Sequence, residues 1–193
     1  MPHFPMAGLP NRPVISSLGP QGLAFELADF IANEGAIASQ TWPAANRVLF
    51  SPFEVTEPCT VTKMGWYNGG TASGNVDMGI FDMNGTLLKN TGNTAQAGTS
   101  ALQEVDIADF LLCEGHYWIG IKCESATATM FAAPSTGGPN APFASYPLTW
   151  PVAQASGAAG ALAATYTLAN RVNAEALGFP LWGLCINGRT LLA

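Results

Sequence analysis

The stretch Gly74-Asn75-Val76-Asp77-Met78-Gly79-Ile80-Phe81-Asp82-Met83-Asn84-Gly85-Thr86-Leu87-Leu88 constrains the fold more than any other in the chain. Val76, Met78 and Ile80 share one parity and Asp77, Gly79 and Phe81 the other, a period of two that suits a strand and not a helix. Met83-Asn84-Gly85 supplies turn residues before Leu87 resumes an apolar run, so the segment predicts a β-hairpin. By parity Asp77 should face solvent, and Asp82 should serve the turn through an Asx motif.

Runs of strand length bounded by turn residues surround this hairpin. They are 46–53, where Val48 and Phe50 can face inward and Pro52 suits a strand edge or end, and 60–68, 101–107, 116–123, 128–132 and 181–186. In 60–68, Met64 and Trp66 fall out of phase with Val61, and a bulge near Lys63 would restore the alternation. In 116–123, Tyr117, Ile119, Ile121 and Cys123 share a face. Strands spaced by turns, with no long helices between them, predict an all-β chain: a two-sheet antiparallel sandwich of jelly-roll type.

Two regions depart from this pattern. Residues 1–45 form an extended N-terminal arm, because Pro2, Pro5, Pro10, Pro13 and Pro20 each remove a backbone donor. The arm ends in a short helix over 23–37, where Leu23, Leu27, Phe30 and Ile31 have helical spacing, although strand pairing also fits. The sandwich domain then spans 46–193 and carries an insertion rich in Ala, Gly and Pro over 134–180. An excursion of that length is usually functional or held against another chain. Phe4 in the arm, Trp42 in the following loop, and Phe143, Tyr146, Trp150 and Tyr166 in the insertion are the candidate interface rings. The competing expectation is that the insertion rings cap the end of the sandwich. Gly157 to Gly160 read as plain loop.

Charge narrows the function classes. Only 10% of residues are charged, against roughly 25% in ordinary soluble domains, so much of the surface is uncharged and suited to association with partners. A net charge of −6 without a Lys/Arg cluster argues against nucleic acid as a partner. No apolar run reaches the roughly 20 residues needed to span a bilayer, and Met1 to Met6 lack the features of a secretory signal. The expectation is a soluble protein made and assembled in a cytoplasm. Cys59, Cys113, Cys123 and Cys185 are far apart and match no zinc spacing, which predicts buried free thiols.

Catalytic patterns are weak. His116 is the one histidine outside the arm, no GxSxG elbow accompanies it, and an exposed strand residue is the expectation. Asp77, Asp82, Glu104, Asp106 and Asp109 could supply a carboxylate pair, but Asp77 and Glu104 have solvent-facing parity. Asp82-Met83-Asn84-Gly85 begins like a calcium loop and lacks its later acids. Neither catalytic residues, a metal nor another cofactor are expected.

The series 46–53, Thr62 to Trp66 with Met64-Gly65, Gly74 to Asp82, Thr91 to Thr99, Gly115-His116-Tyr117-Trp118 and Phe179-Pro180-Leu181-Trp182-Gly183 resembles a β-sandwich module of tailed-bacteriophage virion proteins. Such modules occur in capsid decoration or cement proteins and in fibre and baseplate adhesins, and the resemblance covers about residues 46–187. It implies a jelly-roll-like sandwich, often a homotrimer, without catalytic machinery. The partners implied are further copies of the chain and the major capsid protein or other virion proteins. In a fibre or baseplate setting a host glycan would join them, stacked on Trp150, Tyr146 or Trp42. The Pro-rich arm and the tract Ala153 to Ala164 do not follow the module.

Overall fold

The computed structural model describes residues 14–15, 38–133, 153–167, 179–180 and 182–186, and there is no helix among them. The strands are β1 (Val14–Ile15), β2 (Ala38–Thr41), β3 (Arg47–Val55), β4 (Cys59–Tyr67), β5 (Asn75–Phe81), β6 (Leu87–Asn90), β7 (Thr94–Ala95), β8 (Leu102–Leu112), β9 (Gly115–Cys123), β10 (Thr129–Ala133), β11 (Ala153–Ser156), β12 (Phe179–Pro180) and β13 (Trp182–Ile186). The chain is all-β, and its antiparallel sheets pack face to face as a β-sandwich. The helix expected over 23–37 lies outside the described residues.

One layer is built on β3, β9 and β5, with β9 central. Both of its edges are made from short pieces. β11 pairs with residues 47–50 of β3 and β1 with residues 54–55, while β7 and β6 pair with the two ends of β5. Pro52 lies in the interval between the β11 and β1 pairings, where that side of β3 carries no strand among the described residues. A residue without an N–H fits such a place. Among the described residues, β1 is the one parallel neighbour in this sheet.

The opposing layer has β4 between β13 and β8, continued by β10 with β2 and β12 through the Asn68–Met130 bridge. Against β8, Val61 pairs with Phe110 and Lys63 with Asp106, and against β13 the register also shifts across Thr62. This is the bulge expected near Lys63. Cys59 and Val61 therefore point into the core before it, and Met64 and Trp66 after it.

Between the layers lies the larger core, joining Leu49, Phe53 and Val55 of β3, Val76, Met78 and Ile80 of β5, and Ile119, Ile121 and Cys123 of β9 to Met64, Trp66, Leu112 and Leu184 opposite. Tyr117 packs against the same core, so the expected face of β9 is the inner one. Apolar burial of this kind is the main driving force for such a fold. On the arm side of residue 46, β2 pairs with β10, and Trp42 just beyond it is buried in this core, 3% exposed, its Nε1 donating to the Arg47 carbonyl at 3.1 Å.

Candidate functional site

The outer face of the β3–β9–β5 sheet concentrates the unusual chemistry. Val48, Phe50, Phe81 and Trp118 form an apolar floor there, closed by Leu162 and Tyr166 from a distant part of the chain. Phe50 and Phe81 meet edge to face at 5.2 Å, and Tyr166 sits on both at 5.3 and 5.7 Å. The cross-strand pair Gly79 and Gly120 makes room for this layer. A Cβ on Gly79 would stand 2.7 Å from Leu87 and 2.9 Å from Leu162, and one on Gly120 would stand 2.6 Å from Phe81.

The segment 157–166 forms a strap that follows β11 and crosses this face. Three ionisable side chains hold it by its backbone. Lys122 Nζ donates to the carbonyls of Ala158, at 3.3 Å, and Gly160. Asp77 Oδ2 accepts from Leu162 N–H at 2.7 Å, and Glu124 Oε1 from Gly160 N–H at 2.7 Å. Asp77 and Lys122 are cross-strand partners, both fully buried. Asn90 and Thr91 also donate to Asp77, and Asn75 and Asn93 to Glu124.

Burial pushes the Lys122 ammonium below its usual pKa, against the opposing pull of Asp77 and Glu124. The Gly160 N–H first, then Asn93, Asn75 and Lys122, hold the Glu124 carboxyl below the usual carboxylate range, against a smaller opposing effect of burial. Burial raises the Tyr166 phenol, whose oxygen accepts from Ala163 N–H at 3.2 Å.

Several sequence expectations change here. Asp77 does not face solvent: the strap covers it. Ala153–Ser156 is a strand rather than loop, and Gly157 to Gly160 begin the strap. The described part of the insertion is held against its own chain, with Tyr166 buried in the cluster on the outer face of the sheet rather than at the end of the sandwich. Trp42 is buried in the inner core, so neither ring is an exposed anchor in this chain. Phe4, Phe143, Tyr146 and Trp150 lie outside the described residues.

Of the four thiols, Cys59, Cys123 and Cys185 are buried, while Cys113 is exposed in the short turn between β8 and β9. Burial raises the Cys59 and Cys123 thiols, which suits inert packing. His116 is an exposed strand residue opposite Glu54. Asp82 has the Asx role expected of it, its Oδ1 accepting from Asn84 and Thr86 N–H at 2.9 and 2.8 Å, with Gly85 at φ 84°.

Lys122 and Glu124 were not singled out by the sequence. The available signal was a lysine between Ile121 and Cys123 near the end of an apolar strand, two residues before an acid. Among the described residues, no group of three His, Cys, Asp or Glu side chains could hold a metal ion. The chain matches none of the protein-family models, curated proteins or solved structures compared with it.

Proposed function

We propose that this chain is a structural virion protein of a tailed bacteriophage, a capsid decoration or cement protein that stabilises the head through contacts with the major capsid protein and with further copies of itself as a homotrimer. The observation that carries this reading is how the main sheet uses its charge: Asp77, Lys122 and Glu124 are engaged by the chain's own backbone, as a scaffold would engage them. The low charge of the whole chain adds support, because large contact areas between copies favour few unpaired charges. Apolar burial at about 25 cal/mol per Å² would supply the association energy.

The test is to add purified protein to heads that lack it and to image them by cryo-electron microscopy. Saturable density at repeated capsid positions is expected, and it should disappear when residues 1–22 are removed. Density only at the tail, together with glycan-array binding above background, would instead make the chain a receptor-binding fibre or baseplate protein.

A further inference from the structure

We propose that the strap 157–166 is a proton-linked latch: it closes over the outer face of the β3–β9–β5 sheet through Lys122, Asp77 and Glu124, and acid releases it while the sandwich stays folded. This inference does not depend on where the protein resides.

The geometry separates strap from sandwich. β11 joins the β3 edge by regular pairing, but beyond Ser156 the strap leaves the ladder. Its ties are then few: the three ionisable side chains, Gly157 N–H to the Asn46 carbonyl at 2.9 Å, and contacts from Thr165 and its neighbours to the β5–β6 hairpin. Gly160 has φ 94°, a conformation that favours glycine, at the residue bonded by both Lys122 and Glu124. Apolar closure rests on Leu162 and Tyr166.

The closed state also carries a penalty. It keeps Lys122 and Asp77 out of water, and buried charges offset that cost only through good partners. Opening returns both to solvent and exposes Phe50, Phe81 and Trp118. Two states of comparable free energy are the physical requirement for a switch.

The direction of the proton linkage follows from the groups facing the strap. β5 presents Asp77, β9 presents Lys122 with Glu124 just beyond it, and the strap itself contributes Tyr166. Arg47 shares the parity of Leu49, and Lys89 lies opposite Ile80, so both belong to the other face. Glu124 and Lys122 both have depressed pKa values with the strap in place. From neutral pH downward the closed form therefore binds fewer protons than the open one, and closing is favoured as pH rises through that range; the raised Tyr166 phenol acts in the opposite direction only in alkali. The Glu124 contribution is present above the ordinary carboxylate range and is lost as pH falls through its lowered value.

Hydrogen exchange of the full chain, read by mass spectrometry and corrected for intrinsic rates, tests this. Between about pH 7 and about pH 3.5, protection of 157–166 should fall severalfold, within the roughly sevenfold that one carboxylate of ordinary pKa about 4.3 can supply, while 117–123 keeps its own. Glu124→Gln should lower strap protection about tenfold at neutral pH and flatten its pH profile, leaving 117–123 unchanged. Loss of protection in strap and sheet together, an unchanged strap across the range, or a wild-type profile in Glu124→Gln would each overturn the latch.

Discussion

The two faces of the β3–β9–β5 sheet are built from alternate residues of the same strands, yet they are held in different ways. The inner face is a dry apolar core in which Val76, Met78, Ile80, Ile119 and Ile121 meet the opposing layer. The outer face mixes a ring cluster with a buried aspartate and lysine, and what covers it is a strap more than thirty residues further along the chain. Burial by a partner sheet needs only alternation. Burial by a strap needs glycines for close approach and charged groups for its otherwise unpaired backbone.

Substitutions should rank accordingly. Trp66→Ala, on the inner face, opens a large cavity and strips the Trp66 Nε1 bond from Asn68; it should cost about 4 kcal/mol in urea unfolding. Asp77→Ala leaves the Leu162 N–H without its acceptor and Lys122 without its cross-strand acid. A loss of about 3 kcal/mol is expected, and a loss no larger than that of a surface substitution would break the contrast between a strapped and an open outer face.

Gly120→Ala forces Phe81 and Phe50 to shift, at a cost of about 2 kcal/mol. The effect should fall on the outer cluster, seen as nuclear magnetic resonance shifts of Tyr166 larger than those of Trp66. Asp82→Ala, in the exposed hairpin turn, should cost about 1 kcal/mol at neutral pH. Burial pushes the Asp82 carboxyl up, but the N–H groups of Thr86 and Asn84 outweigh it and hold the group low. Its contribution is therefore present above the carboxylate range and fades as pH falls through the lowered value, so the mutant and wild-type stability curves should converge in acid.

The same contrast explains what could be read in advance. In β4, β5 and β9 the inner face was legible from parity: the hairpin at 74–88, the shared face of Tyr117 to Cys123 and the bulge beside Lys63 all follow from local alternation and from what a strand must bury. In β3 it was not: Val48 and Phe50, expected to face inward, lie in the outer cluster, and Leu49, Phe53 and Val55 face the inner core, because both faces of this strand are buried and parity cannot rank them. The Asx turn at Asp82 was legible because its donors lie within four residues. Asp77 was misread because its cover, Leu162, lies 85 residues away, and no local pattern announces a contact of that range. Ala153–Ser156 has no β-branched or large apolar residue and alternates only alanine with Gln154 and Ser156, too weak a strand signal to show its pairing with β3. Trp42 resembled an exposed loop ring because it sits outside any alternating run, yet it is buried in the inner core. Cys113 proved exposed because a two-residue turn offers nothing to bury it.

Lysine labelling tests the central claim, that the outer face is covered by the chain's own strap, most directly. The chain has three lysines, Lys63, Lys89 and Lys122, and an amine-reactive acetylating reagent at mildly alkaline pH, read by mass spectrometry, compares them within one molecule. The account predicts that Lys63 and Lys89 react in the native protein while Lys122 stays unmodified until the chain is denatured. Native labelling of Lys122 at the rate of the other two would contradict it.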